Sequence, residues 1–196
     1  MIVEPTAQND VLRDFTERLV RLGIGYMLTG SMALVYYAVP RMTADIDVVL
    51  DIKETDGDRF IKEFEPDYYI PQTRVRDAIY RSKMFNILDQ RTIIKIDCVV
   101  RKHERFQDEV FLRRRRVNYS GDFDVWIISK EDLILSKLNW AKVSHSEMQM
   151  RDIVSLIRNP YDENYVKTWA ERLGVEALLE ECVRLLNEDH AERYDT

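Results

Sequence analysis

The sequence predicts an α+β protein, with a mixed β-sheet flanked by helices over residues 1–128 and a C-terminal helical region over 129–196. Two observations point there. Before residue 128, short β-branched or alternating runs such as 45–50 and 93–100 are interleaved with stretches of helical spacing. From Ser129 onward the apolar residues, beginning with Leu133, Ile134, Leu138 and Ala141, recur at helical spacing alone. The scale is set by 196 residues, 45% hydrophobic and 10% aromatic, enough for one good core or two small domains.

Each element has a local reason. Asn9 or Asp10 caps a first helix through Val11, Leu12, Phe15, Leu19 and Leu22, with Gly23 where a terminating glycine belongs. The run Ile24, Tyr26, Met27, Leu28 is a strand that ends at Gly30-Ser31, and a helix over 32–38 follows until Pro40 forbids its continuation. Thr55, Asp56 and Asp58 open an amphipathic helix through Phe60, Ile61 and Phe64. Pro66 and Pro71 bracket an irregular piece, and 75–81 is a short helix. A hairpin joins 85–88 to 93–100 through Asp89-Gln90, residues 103–112 are helical, and 117–119 with 123–128 add edge strands around Gly121. Ser129 with Asp132 starts the helical region, which continues over 147–157, 163–172 and 175–186 before a polar tail that frays from Asn187.

The stretch 26–51 carries the chemistry. A strand feeding a glycine turn that opens a helix leaves unpaired N–H groups pointing outward, so Gly30 and Ser31 are candidates to hold a phosphate. Asp45 and Asp47, two apart on a strand, share one face. At roughly 6 Å and an effective dielectric of about 20 they repel by about 3 kcal/mol, so something cationic belongs between them. Oxygen ligands on a rigid strand suit Mg²⁺ or Mn²⁺. Asp97, the acid within the strand-like run 93–100, is the candidate third carboxylate. A phosphate-holding turn with three carboxylates on neighbouring strands is what two-metal phosphoryl or nucleotidyl transfer needs.

Gly30-Ser31, Asp45-Ile46-Asp47 after the intervening residues 32–44, and a later Asp97 in a strand together resemble the signature of the nucleotidyltransferase superfamily, whose fold is polymerase beta-like. Residues 41–47, RMTADID, resemble stand-alone bacterial and archaeal members, including AbiEii-type toxins of toxin–antitoxin systems. The resemblance implies a nucleotidyltransferase-like sheet. It also implies an enzyme that moves a nucleoside monophosphate from a triphosphate to a hydroxyl of RNA, protein or a small molecule. Asp45, Asp47 and Asp97 would be the catalytic metal ligands, with Mg²⁺ or Mn²⁺ as cofactor and an antitoxin as a further partner. The alternative is a non-catalytic nucleotide-binding module or toxin–antitoxin subunit. Residues 131–138 resemble the family stretch in which a helix lysine, here Lys137, contacts the triphosphate, and Arg151-Asp152 resembles the pair that follows it.

Arg41, just before the first aspartate, is placed to meet a triphosphate bidentately, and Thr43 to orient a carboxylate. The run Arg113, Arg114, Arg115, Arg116 reads as a solvated face or, in an acidic chain, as a surface for RNA or an acidic partner. The net charge of −6, 29 basic against 35 acidic residues, gives no general attraction for nucleic acid. His103, His145 and His190 have no metal-ligand spacing, which excludes a zinc hydrolase, and no serine has nucleophile-elbow surroundings. Cys98 and Cys182 read as reduced thiols, and no apolar run reaches the roughly 20 residues of a membrane span. The expectation is a cytoplasmic protein without a membrane partner.

Overall fold

The protein is seen in a computed structural model, which describes residues 7–38, 45–144 and 146–194, with side chains through 188. It divides into two compact units at the junction of Ile128 and Ser129, the second also taking in Tyr37 and Ala38.

The first unit is built on a mixed seven-stranded sheet. Its strands are β1 (Gly25–Thr29), β2 (Asp45–Asp51), β3 (Tyr68–Tyr69), β4 (Met84–Asp89), β5 (Lys95–Val100), β6 (Arg115–Tyr119) and β7 (Phe123–Ile127), in the order β3-β4-β5-β2-β1-β7-β6. β2 lies at its centre, antiparallel to β1 and parallel to β5. The β-branched residues of β2 explain that position, because alternation sends Ile46, Val48 and Leu50 into the core with no exposure while Asp45, Asp47 and Asp51 stay on a half-exposed face. Ile96 and Cys98 of β5 continue the buried face.

Helix α1 (Ala7–Leu22) buries Val11, Leu12, Phe15 and Leu19 and ends at Gly23, whose φ of +71° is the left-handed conformation that glycine tolerates. It begins ahead of the expected cap, so Asn9 is a buried residue inside it. Helix α2 (Gly30–Tyr37) follows β1 directly, and α3 (Gly57–Phe64) follows a single 3₁₀ turn. Phe15, Phe60, Phe64, Tyr68 and Phe85 form the aromatic part of the core, with ring centroids 4.6 Å apart for Phe60 and Phe64 and 5.0 Å for Phe15 and Phe64. Two elements differ from the sequence reading. The piece between Pro66 and Pro71 contains the edge strand β3, because Tyr68 is drawn into the aromatic core and Tyr69 pairs with Leu88. β7 is interior rather than an edge, lying between β1 and β6.

Helices α4 (Gln72–Tyr80) and α5 (Arg105–Leu112) complete this unit. The β4–β5 turn is organised by Asp89, whose Oδ1 accepts hydrogen bonds from the amides of Arg91 and Thr92, each at 2.9 Å, while the Arg91 guanidinium donates to Oδ2 at 2.7 Å. Ile93 in that turn takes φ +62°, so β5 starts at Lys95 and not at residue 93.

The second unit is helical: α6 (Lys130–Ser144), α7 (Glu147–Ile157), α8 (Glu163–Leu173) and α9 (Glu176–Tyr194). The Asp132 amide donates to Ser129 Oγ at 3.1 Å, and Ser129 Oγ donates back to the Asp132 carboxylate, which satisfies the start of α6. Tyr165 of α8 donates to the other Asp132 oxygen at 2.7 Å. Gly174, φ +64°, ends α8. The helix after it runs to Tyr194, past the expected fraying at Asn187. Cys98 and Cys182 are buried free thiols, and no helix among the described residues is long and apolar enough to cross a membrane.

Candidate active site

The register of four adjacent strands aligns one polar row. Thr29 of β1 pairs with Asp47 of β2, Asp47 with Asp97 of β5, and Asp97 with Asn86 of β4. Residues paired across a ladder present their side chains to the same face. Asp45, two residues before Asp47, shares that face and lies opposite Lys95. The three expected carboxylates are therefore placed on one face of two parallel neighbours, with Asn86 and Thr29 closing the ends of the row.

A cation already stands among them. Lys95 Nζ is 3.0 Å from Asp45 Oδ2 and 2.9 Å from Asp97 Oδ2. Hydrogen bonds to Asp97 and then Asp45 raise the Lys95 pKa above its ordinary value. The other Asp97 oxygen, Oδ1, is buried and has no hydrogen-bond partner in the protein. An unsatisfied buried carboxylate oxygen is costly, and at a site of this kind it points to a missing ligand. Sequence reasoning placed a cation between acids but missed that the chain supplies one. The signal was Lys95-Ile96-Asp97, whose spacing puts ammonium and carboxylate on one strand face.

Gly30 adjoins the row. It opens α2 with φ +63°, and a Cβ there would sit 2.7 Å from Asp47 Cβ and overlap its carboxylate. Only glycine fits both the backbone conformation and the space. Ser31 follows in the first turn of α2. Arg41 and Thr43 lie outside the described residues.

Lys137 belongs to the second unit. Its side chain is 6% exposed, and the ammonium donates to Asp152 at 2.8 Å and to Gln149 at 3.2 Å. Contact with a phosphate requires it to leave that pair. Arg151, the neighbour of Asp152, is exposed and reaches Glu147 at 3.7 Å.

In the arginine run Arg114 turns inward, its guanidinium 4.0 Å from the Phe111 ring centroid and 4.8 Å from that of Trp126, and burial lowers its pKa. Arg116 pairs with Asp124 at 3.2 Å. Asp124 is thus engaged in a salt bridge, and Asp89, three residues along β4 from Asn86, faces away from the row.

The donor set suits a hard divalent ion in kind: carboxylates on one face, an orphaned buried Oδ1, and a space beside Asp47 that a Cβ would fill. The carboxylates are not drawn around one point, however. Among the described residues no three His, Cys, Asp or Glu side chains are close enough to share an ion. The expected three-carboxylate cluster is aligned but not assembled.

No protein-family model and no curated protein matches the chain. Solved structures do. A nucleotidyltransferase-like antigenic protein from Paracoccidioides brasiliensis matches with a TM-score of 0.55 at 17% identity, over 89% of this chain and 91% of that one. The lincosamide antibiotic adenylyltransferase LnuA, bound to lincomycin, matches with a TM-score of 0.50 at 15% identity, over 79% of this chain and 98% of its own. At these identities the likeness is one of fold, shared with a nucleotidyltransferase-like protein and with an adenylyltransferase.

Proposed function

We propose that this chain is a metal-dependent nucleotidyltransferase that moves a nucleoside monophosphate from a nucleoside triphosphate to a hydroxyl acceptor. The observation that carries the reading is the in-register pairing of Asp47 with Asp97, with Asp45 on the same face.

The residues divide the work. Asp45 and Asp47 hold the triphosphate-side ion and Asp97 completes the site toward the acceptor. Bound Mg²⁺ or Mn²⁺ neutralises phosphate charge and lowers the pKa of the acceptor hydroxyl. Gly30 keeps the Asp47 carboxylate seated, and the amides at the start of α2 with Ser31 face the phosphates. Arg41 supplies further positive charge to the triphosphate, and Lys137 would have to leave Asp152 to do the same. The acceptor oxygen forms a bond to the α-phosphorus, the bond to the bridging oxygen breaks, and pyrophosphate leaves. The Asp97 carboxylate takes the acceptor proton.

The acceptor is RNA, a protein side chain or a small molecule; LnuA, one structural neighbour, is a lincosamide adenylyltransferase. An adjacent antitoxin-like reading frame would mark the toxin role. A second reading has its own support: Lys95 holds Asp45 and Asp97, as it would in a nucleotide-binding module that no longer turns over. Pyrophosphate release from a panel of triphosphates with Mg²⁺ or Mn²⁺ and pooled acceptors separates the two. Release that Asp45→Asn abolishes supports the enzyme. Tight nucleotide binding without release supports the module.

A further inference from the structure

Lys95 stands among carboxylates that are aligned yet not assembled. Its ammonium holds one oxygen of Asp45 and one of Asp97, their Oδ2 atoms, and so occupies the space between the two carboxylates. Its place is fixed by the fold: Lys95 is registered opposite Asp45, and Asp97 follows two residues later on the same face. The side chain is 37% exposed, so its head is free to leave toward solvent, whereas Asp97 at 14% is held in the sheet. Asp45, at 39%, is as exposed as the lysine, so within the trio Asp97 is the fixed member and Lys95 the cation whose head can leave.

We propose that Lys95 is a resident counter-cation that a divalent ion must displace, so that metal loading at this site is gated by a lysine of the chain itself. The inference rests on the nucleotidyltransferase reading. A monovalent ammonium relieves the repulsion of the row when no metal is bound and holds the carboxylates in register. A divalent ion held by these aspartates would repel the ammonium and be attracted more strongly by the carboxylates, and the displaced head would find the triphosphate as its new anion. Free metal therefore binds weakly, and metal delivered with nucleotide binds well.

The test is Mn²⁺ binding to the full chain, followed by electron paramagnetic resonance, with and without a non-hydrolysable triphosphate. Lys95→Gln removes the competitor, so Mn²⁺ should bind about tenfold or more tightly than to the parent without nucleotide. Its metal-free melting temperature should fall and be restored by Mn²⁺. Lys95→Arg keeps the charge and grips both carboxylates with a forked head, so Mn²⁺ should bind more weakly than to the parent. The arginine variant preserves the test if the glutamine variant does not fold. Parental affinity in either folded variant overturns the gate while leaving the metal site in place. If neither the parent nor any variant binds Mn²⁺, with or without nucleotide, the nucleotidyltransferase reading itself falls.

Discussion

Gly30 and Asp47 occupy adjoining space so closely that position 30 has no room for a methyl group. A Cβ on Gly30 would overlap the Asp47 carboxylate, and the residue's φ of +63° already disfavours any L side chain. The glycine that opens α2 is thus a packing partner of the first carboxylate strand as well as a turn. Gly30→Ala should cost about 2 kcal/mol or more in a urea titration, from backbone strain and overlap together. The overlap part should be recovered in Gly30→Ala with Asp47→Gly, which removes the Asp47 Cβ as well as its carboxylate, read as a coupling energy in a double-mutant cycle. Additive effects would show that the two residues do not share this space.

The proposed reaction gives Asp97 a different task from Asp45 and Asp47. Mg²⁺ or Mn²⁺ delivered with a non-hydrolysable triphosphate should raise the melting temperature of the parent, and that gain should vanish in Asp45→Asn with Asp47→Asn. Asp97→Asn should keep most nucleotide affinity in calorimetric titration while single-turnover transfer falls by about three orders of magnitude. Near-parental transfer would remove Asp97 from the reaction.

The buried pair of Lys137 and Asp152 sets a stability test. Lys137→Met removes the ammonium that lies 2.8 Å from the buried Asp152 carboxylate, at a cost of about 3–5 kcal/mol in chemical denaturation. Pairing it with Asp152→Leu should recover most of that loss. Nucleotide affinity measured on the same double variant then isolates the phosphate role proposed for Lys137: a retained affinity would confine this lysine to structure.

Asp89 should make the first unit acid-sensitive. Burial works to raise its pKa, but hydrogen bonds from the Arg91 guanidinium, the Thr92 and Arg91 amides and the Thr92 hydroxyl outweigh it and leave the pKa below the ordinary carboxylate value. A depressed native pKa contributes stability that is present above the unfolded value, about 4, and is lost as pH falls through the native one. Urea midpoints measured from pH 6 downward should therefore drop below about pH 4. In Asp89→Asn that part of the slope should flatten, with lower stability at pH 7 from the lost charged hydrogen bonds.

How much could be read from residues alone divides along the range of the interactions. The acids on 45–50, the terminating Gly23 and the hairpin at Asp89 were legible because each depends on near neighbours in the chain. The roles of Lys95 and Gly30 were not. Lys95 acquires its meaning from lying opposite Asp45, and Gly30 from touching Asp47, relationships created by strand pairing and helix placement. The partner of Lys137 was hidden for the same reason, since Asp152 lies on the next helix. Ile93 looked like a strand residue because β-branched side chains favour strands, but the turn demanded a positive φ and overrode that preference.

The ladder between β2 and β5 also makes folding a proofreader of chemistry. Successive side chains on a strand alternate in direction, so sliding β5 by one residue would send Lys95 and Asp97 together into the apolar interior and bring Ile96 and Cys98 out to water. Such a chain would pay twice, in buried charge and in exposed hydrocarbon. Any molecule that reaches the stable sheet has therefore already presented its acids and its lysine on the same side.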